Sequence, residues 1–391
     1  MTQNKYQALD YYNLDELLTD EERMVRDLVR SWVGEEILPS IAEWTEMACF
    51  PQEYFRKMGD LGLFGATLPE KYGGAELSNI AYGLMMQELE RGDSGFRSAA
   101  SVQSSLVMFP IFKYGSEDQR LKYLPKLAAG EIVGCFGLTE PDSGSDPGSM
   151  KTTAIKDGDS YILNGAKMWI TNGTIADVAV VWAKLDGKVR GFLVEAGNSG
   201  FGAPETKFKW SLRCSVTSEL VFDDCRIPAD AILPEGFGLS APLSCLTQAR
   251  YGIAWGVMGA AMACYDEAVK FALERISYEK PIASYQIVQQ KITYMATEIT
   301  KSQLLNFRLG QLKDAGTMKF QMVSMAKMNA CYQALTISRM ARDILGASGI
   351  TYEYQSGRHM NNLESVYTYE GTHDIHSLIV GADLTGIEAY R

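Results

Sequence analysis

The order of secondary-structure patterns is the feature that most limits how this chain folds. A helical block comes first, from residue 15 to about 133, where Thr19 and Glu22 form a capping box before apolar residues at helical spacing. Residues 134 to about 235 hold short runs of β-formers, and helical periodicity returns from about residue 240 to 385. Strands and helices do not alternate, so separate α and β domains are predicted rather than a doubly wound sheet.

These blocks predict an α+β multidomain protein. The predicted domains are an N-terminal α-helical domain (1–133), a middle β-barrel or sandwich domain (134–239) and a C-terminal helical bundle (240–391). Small residues at 256–263 predict close helix packing, and the segments 284–312 and 318–345 predict long helices. Four dipeptides predict turns in the middle domain: Asp157-Gly158, Asn164-Gly165, Asn172-Gly173 and Asp186-Gly187.

Composition excludes several functional classes. The chain has 391 residues with 37 basic and 48 acidic side chains, a net charge of −11, which argues against a nucleic-acid partner. No apolar run is long enough to predict a membrane span, and the N-terminus has no apolar core typical of a secretion signal. Seven scattered cysteines without a CxxC pattern indicate a reducing compartment.

The segment 368–376, TYEGTHDIH, concentrates groups that can do chemistry. It can be a polar helix cap, since Gly371 breaks the periodicity and Thr372 can cap the next helix. Metal binding by His373 and His376 is an alternative, but two imidazoles without a thiolate make a poor ligand set, and no metal is predicted. A third interpretation is a general base, because Glu370 is a carboxylate at a turn.

Three further segments are candidates for ligand contact. The loop 138–149 combines Pro, Gly, Ser and Thr, so it is either an anion-binding loop or an ordinary polar connection. Trp169, Ile170 and Thr171 can line a planar heterocycle or belong to the core. In the segment 90–98, Arg97 follows a glycine turn, which by composition alone indicates a solvated loop.

Together, and in this order, these pieces resemble the acyl-CoA dehydrogenase family. Residues 135–146 resemble its first flavin signature, 165–172 its second flavin segment and 369–372 its catalytic segment. The resemblance implies an N-terminal helical domain, a middle β domain and a C-terminal four-helix bundle. It also implies FAD as the cofactor, an acyl-CoA substrate and a homotetramer in the bacterial cytoplasm, or in the mitochondrial matrix for a mature eukaryotic form.

Within the family, the segments 88–98, 101–108, 249–256 and 368–376 are most similar to the glutaryl-CoA dehydrogenases. This resemblance implies FAD-dependent oxidative decarboxylation of glutaryl-CoA to crotonyl-CoA and CO₂, with electrons passing to an electron-transfer flavoprotein. Dehydrogenation of another acyl-CoA, dehydrogenation of glutaryl-CoA without decarboxylation, and a catalytically silent flavoprotein or scaffold are the alternatives.

The resemblance also implies roles for individual residues. Glu370 is the catalytic base, since Ala249 stands where some members carry theirs. The implied substrate-binding residues are Glu90, Arg97, Ser98, Ser145, Gln248, Ala249, Arg250, Tyr251, Tyr369 and Gly371. The implied cofactor-binding residues are Phe136, Gly137, Leu138, Thr139, Gly144, Ser145, Trp169, Ile170, Thr171, Arg275, Gln286, Asp343, Ile344, Leu345, Gly346, Ala347, Thr372, Asp374 and His376.

The chain departs from the family pattern in two segments. Tyr278 and Glu279 stand where an aromatic residue and a glycine are common, which puts a carboxylate close to an expected flavin phosphate. Ala347 replaces a common second glycine.

Overall fold

The computed structural model describes residues 6–389, and its helices and strands follow the predicted α, β, α order. The first helix begins at the predicted capping box, where Glu22 N–H donates to Thr19 Oγ1 at 3.2 Å and Thr19 N–H donates to Glu22 Oε2 at 2.9 Å. The N-terminal helices are α1 (Asp20–Trp32), α2 (Ile41–Met47), α3 (Tyr54–Asp60), α4 (Asn79–Gly92), α5 (Ser94–Ser101), α6 (Phe109–Tyr114) and α7 (Glu117–Ala128). A π-helical stretch at Val102–Met108 joins α5 to α6.

The middle domain is one curled eight-stranded sheet with the strand order β6-β7-β3-β2-β4-β5-β8, and β1 pairs with β4. One side of the sheet closes around its own apolar cluster, while the other side joins the main core. Its strands are β1 (Gly134–Gly137), β2 (Thr153–Asp157), β3 (Ser160–Thr171), β4 (Val178–Leu185), β5 (Lys188–Glu195), β6 (Phe201–Gly202), β7 (Thr217–Pro228) and β8 (Ile232–Phe237).

The turn predicted at Asn164-Gly165 is wrong, because both residues lie inside the twelve-residue strand β3. The β3–β7 register shifts at this point, so Asn164 faces an extra residue of β7. Its side-chain amide donates to Asp224 Oδ1 at 2.9 Å, and Asp224 N–H donates to Asn164 Oδ1 at 2.8 Å. Gly165 is needed because a Cβ would lie 2.7 Å from Thr152 Cα. A turn-type dipeptide therefore builds a β-bulge here.

The C-terminal domain has three long helices followed by two shorter ones. Helix α10 contacts each of the other four, so the predicted four-helix bundle carries one additional helix, α12. The helices are α8 (Ser240–Glu274), α9 (Gln286–Asp314), α10 (Phe320–Ile344), α11 (Ser356–Thr368) and α12 (His373–Thr385). Two short strands, β9 (Ile276–Ser277) and β10 (Lys280–Pro281), form a hairpin after α8.

Glycines allow α8 to pack directly against α4, as the small residues predicted. A Cβ on Gly259 would lie 1.8 Å from the Gln87 carbonyl oxygen, and one on Gly83 would lie 2.5 Å from the Trp255 ring. This close approach brings the polar face of α4 to the C-terminal domain. Among residues 6–389, no helix is long and apolar enough to cross a membrane.

Candidate active site

Glu370 lies in a tight turn between α11 and α12. Its backbone is left-handed at φ 52°, and Gly371 follows with φ 94°. A Cβ on Gly371 would lie 2.8 Å from His376 Nε2, so only glycine fits there. Thr372 then caps α12 by accepting a hydrogen bond from Ile375 N–H at 3.2 Å. The predicted helix cap and the predicted base are thus parts of one turn.

Cationic side chains bind the carbonyl groups of this turn. Lys327 Nζ donates to the carbonyl oxygens of Tyr369 and Gly371, both at 2.8 Å. Arg250 Nε donates to the Glu370 carbonyl oxygen at 2.7 Å. Three consecutive carbonyls are therefore hydrogen-bonded to charged donors from α8 and α10.

The Glu370 carboxyl group is in an environment suited to a base. Its Oε2 atom is buried and has no hydrogen-bond partner among residues 6–389. Burial raises the pKa of Glu370, while Arg97, Arg250 and Lys327 act in the opposite direction. A desolvated carboxylate with raised proton affinity can abstract a weakly acidic proton near neutral pH.

A second buried cluster lies beside Glu370. Arg97 on α5 donates through Nε to Glu90 Oε2 of α4 at 2.6 Å, and both side chains are fully buried. Arg97 Nη2 also donates to the Tyr369 hydroxyl, and Ser94 Oγ donates to Glu90 Oε1 at 2.8 Å. The cluster is not a solvated loop, and Arg97 Nη1 has no partner within the described chain.

The other predicted substrate residues lie at different depths. Ser98 follows Arg97 and is buried, and Ala249 is buried on α8. Gln248 lines a small cavity, whereas Tyr251 is fully buried and donates to the Asn79 carbonyl oxygen at 2.7 Å. Tyr251 thus bonds α4 rather than the Glu370 turn.

The two predicted flavin segments lie side by side. Met168 N–H donates to the Thr139 carbonyl oxygen at 2.8 Å, which joins the end of β3 to the chain after β1. Below this contact, buried Lys167 donates to Glu140 Oε1 at 2.8 Å and to the Leu138 carbonyl oxygen at 3.1 Å. This ion pair fixes the first segment against the second.

These segments fit a planar cofactor ring. A register shift in β3 turns Trp169 outward at φ 62°, with 62% of its surface exposed. Neighbouring Ile170 is buried and Thr171 is partly buried, while the loop residues Gly144 and Ser145 are exposed. The predicted flavin residues Phe136, Gly137 and Leu138 are buried. Trp169 therefore does not belong to the core, which was one interpretation of the sequence. Its exposed ring beside buried Ile170 forms an open apolar surface.

The remaining predicted cofactor residues form a separate, mostly exposed group. Arg275 and Gln286 are exposed, and Asp343 on α10 pairs with Lys291 of α9. The sequence 343–347 begins 16 residues beyond Lys327, about 24 Å along a straight helix. Arg275 follows the end of α8, about 37 Å along a straight helix from Arg250, which binds the Glu370 carbonyl, so within one chain both parts of this group are far from the Glu370 turn.

The predicted cofactor residues in the first turn of α12 differ in their exposure to solvent. Asp374 is exposed in the first turn, whereas His376 is fully buried. Burial, with Lys327 and Arg250 nearby, lowers the pKa of His376 to about 2, so its imidazole is neutral. Among the described residues, no group of three or more potential ligands forms a metal site.

Tyr278 and Glu279, where the sequence departs from the family pattern, form the hairpin turn between β9 and β10. Both residues have positive φ, 50° and 66°, and both are exposed. Two consecutive left-handed residues define the type I′ turn, which normally favours Asn or Gly. Glu279 therefore projects into solvent within this chain.

Comparison with known proteins matches the sequence to one family over nearly the whole chain. The N-terminal, middle and C-terminal acyl-CoA dehydrogenase domain models match residues 19–131, 135–225 and 236–385.

The chain belongs to the acyl-CoA dehydrogenase family.

This family uses FAD, the cofactor that the sequence predicts. A glutaryl-CoA dehydrogenase from Mycobacterium smegmatis in complex with FADH₂ is 49% identical, with a TM-score of 0.97, covering 99% of this chain and 100% of that chain. The glutaryl-CoA complex of a glutaryl-coenzyme A dehydrogenase is 34% identical, with a TM-score of 0.91, covering 96% and 98%. Human mitochondrial short-chain specific acyl-CoA dehydrogenase is 36% identical over 380 residues, covering 96% of this chain and 92% of that protein.

The sequence did not identify Lys327 or the Lys167–Glu140 pair as part of this acyl-CoA dehydrogenase site. One signal was present: Lys327 interrupts an apolar helical stripe that includes Val323, Ala330 and Cys331, all buried. A lysine at a core position requires buried partners, but the sequence does not reveal that they are distant carbonyl groups.

Proposed function

We propose that this acyl-CoA dehydrogenase converts glutaryl-CoA to crotonyl-CoA and CO₂ with FAD as the hydride acceptor. The single observation that carries this proposal is the buried Arg97–Glu90 pair beside Glu370, with one guanidinium nitrogen unpartnered among residues 6–389. A buried cation with a free donor matches a substrate whose acyl chain ends in a carboxylate.

Glu370 begins the reaction by removing a proton from the α-carbon of the thioester. Its raised pKa supports this role, since a carboxylate with higher proton affinity is a stronger base. Backbone N–H donation from the Glu370 peptide stabilises the negative charge that develops on the thioester oxygen. The segments at Thr139 and Trp169 would hold FAD, which when bound would supply the acceptor for the hydride that leaves the β-carbon.

Arg97 positions the distal carboxylate. The Arg97 guanidinium already donates hydrogen bonds to Glu90 and to the Tyr369 hydroxyl, which hold it in a fixed orientation. Its remaining nitrogen is the donor that binds the substrate carboxylate. Ser98, the next residue on α5, adds a hydroxyl at this end of the cleft. Such pre-organisation favours a dicarboxylic over a neutral acyl chain.

Decarboxylation follows dehydrogenation. The bond between the γ-carbon and the carboxylate breaks, its electron pair enters the conjugated thioester, and CO₂ leaves. Protonated Glu370 then returns its proton to carbon, which gives crotonyl-CoA and restores the base. Tyr369 links Arg97 to the base turn and orders the polar groups around this proton transfer.

Oxidation of a short neutral acyl-CoA is the second candidate. It is favoured by the 36% identity to human short-chain specific acyl-CoA dehydrogenase over 380 residues. The two candidates differ at the distal end of the substrate, where a neutral methyl group leaves the Arg97 donor unsatisfied.

A substrate panel tests the proposal. Purified holoenzyme is assayed with glutaryl-, butyryl-, hexanoyl- and isovaleryl-CoA and an artificial electron acceptor, and products are identified by mass. Glutaryl-CoA should have the highest kcat/KM and yield crotonyl-CoA with CO₂. A preference for butyryl-CoA would support the second candidate, and accumulation of glutaconyl-CoA would remove the decarboxylation step alone.

Electrons from this reaction are proposed to pass to an electron-transfer flavoprotein. A homotetramer is proposed because exposed Arg275 and Gln286 lie far from the Glu370 turn and suit a neighbouring subunit's FAD. Seven free cysteines support a reducing compartment, the bacterial cytoplasm or the mitochondrial matrix.

A further inference from the structure

Lys327 is a buried cation that the reaction described above does not use directly. Its side chain is 1% exposed, and it lies on α10 opposite the Glu370 turn. Two of its three ammonium protons are donated to the carbonyl oxygens of Tyr369 and Gly371. Burial lowers the pKa of Lys327, because keeping this side chain charged in apolar surroundings costs free energy.

The hydrogen bond to the Tyr369 carbonyl also fixes the direction of the Glu370 N–H. In a trans peptide, the C=O of one residue and the N–H of the next point in opposite directions. Holding the Tyr369 carbonyl toward α10 therefore directs the Glu370 N–H away from α10. Arg250 binds the Glu370 carbonyl, so the peptide groups on both sides of Glu370 are held, and Lys327 also holds the following peptide through the Gly371 carbonyl.

The conformation needs this support. Glu370 has φ 52°, which L-residues other than glycine rarely adopt without compensation. Arg250 fixes the middle carbonyl of the same turn from α8. Two helices thus hold one strained residue by its backbone, which leaves the Glu370 side chain free of hydrogen bonds to them.

We propose that Lys327 is a positioning residue for proton abstraction: it holds the Glu370 turn so that the N–H and the carboxylate act together on one thioester. This inference rests on the proposed function, because it needs an acyl thioester as the substrate. The Lys327 ammonium also adds positive charge near the carboxylate, as do Arg97 of α5 and Arg250 of α8. Tyr369 and His376 are the other titratable groups at the turn, and Cys331 is the titratable neighbour on α10.

The test separates proton abstraction from hydride transfer. Acetyl-CoA has α-protons but no β-carbon, so it can exchange its α-protons and cannot be oxidised. Exchange into D₂O is followed by mass spectrometry with holoenzyme carrying Lys327→Met, Lys327→Arg or Lys327→Gln. Ser324→Ala, one turn earlier on α10 and fully buried, is the matched control.

Lys327→Met should slow exchange by roughly ten- to a hundredfold, the loss typical of a small misplacement of a catalytic group. Lys327→Arg keeps charged donors and should recover much of the rate, while Ser324→Ala should match the wild type. Loss of the nearby cation raises the pKa of Glu370. In a plot of exchange rate against pH, the acid limb should therefore move to higher pH in Lys327→Met and Lys327→Gln. Melting temperature and bound flavin are measured in parallel.

Three results would overturn the proposal. The first is exchange by Lys327→Met that is as fast as exchange by Ser324→Ala. The second is exchange by Lys327→Arg that is as slow as exchange by Lys327→Met, together with an unshifted acid limb in Lys327→Met and Lys327→Gln. The third applies if Lys327→Met does not fold: a wild-type exchange rate and an unshifted acid limb in Lys327→Gln would then contradict the proposal. A wild type that exchanges acetyl-CoA but fails on the acyl-CoA panel would reject only the substrate, whereas failure of both would remove the proposed function together with this inference.

Discussion

At the residue scale, the candidate site depends on the charged groups buried around Glu370. Glu370 has a raised pKa although Arg97, Arg250 and Lys327 all act against that rise. The balance matters because a fully desolvated carboxylate would stay protonated, whereas an exposed one would be too weak a base.

Replacing Glu370 by Gln should abolish turnover while FAD and acyl-CoA binding remain. The amide keeps the shape of the side chain but cannot accept the proton, so kcat should fall by at least about a thousandfold. Stopped-flow bleaching of the flavin measures this step. Glu364→Gln, on the partly exposed face of α11, is the matched control and should be silent; substantial dehydrogenation by Glu370→Gln would reject the base.

Replacing Arg97 by Met should change substrate preference. A buried substrate carboxylate without its cation costs several kcal/mol, and ~3 kcal/mol corresponds to about a hundredfold in kcat/KM. Glutaryl-CoA turnover should therefore fall far more than butyryl-CoA turnover. Arg91→Met removes another buried arginine, paired with Glu88 at 2.9 Å, and should leave the ratio of the two substrates unchanged. Equal losses on both substrates would contradict the proposed role of Arg97.

At the element scale, the meeting of α4 and α8 delivers Glu90 and Arg97 to the C-terminal domain. Gly256 makes room for them, because a Cβ there would lie 2.3 Å from Glu90 Oε2. The small-residue stretch in the sequence predicted this close approach. It could not predict which polar groups would be buried at the contact, since those come from a helix more than 150 positions earlier.

Gly259→Ala should destabilise the protein without touching the site directly. The new Cβ would lie 1.8 Å from a backbone carbonyl of α4, so the two helices must separate. Overpacking of this kind costs about 1–3 kcal/mol. Thermal melting should show a lower Tm, whereas Gly381→Ala, with no atom within 4 Å of its Cβ, should leave the Tm unchanged or raise it slightly. An unchanged Tm for Gly259→Ala would mean that the helices accommodate the methyl group.

Local patterns predicted elements better than they predicted contacts. The capping box at Thr19, the long helices and the β-rich middle block were predicted correctly because each depends on neighbouring residues. Asn164-Gly165 was misread because the same dipeptide suits a turn and a bulge, and only the pairing of β3 with β7 decides between them. Lys327 escaped notice because its partners are more than 40 positions away.

At the scale of the whole molecule, one chain carries two groups of predicted cofactor residues that lie far apart. Thr372 and His376, at the Glu370 turn, belong to one group, and exposed Arg275 and Gln286, beyond the end of α8, belong to the other. A cofactor that uses both groups would join two subunits, and binding and assembly would then be coupled.

Replacing Arg275 by Ala should lower flavin occupancy and weaken the proposed homotetramer together. Sedimentation velocity and the 450 nm flavin absorbance, measured on the same sample, give both quantities. Arg226→Ala alters another exposed arginine, in the middle domain, and should change neither. A monomeric wild type with full flavin occupancy at micromolar concentration would contradict the shared site.

The two-sided burial of β4 has a thermodynamic consequence. Val178, Val180 and Trp182 belong to the main core, whereas Ala179, Val181 and Ala183 belong to the interior of the sheet domain. Neither core can melt without exposing the other face of this strand, so the three domains should behave as one cooperative unit. Calorimetry should give a single peak, and Val180→Ala and Val181→Ala should both lower the same transition. Two separate heat-absorption peaks in the wild type would show that the sheet domain opens on its own.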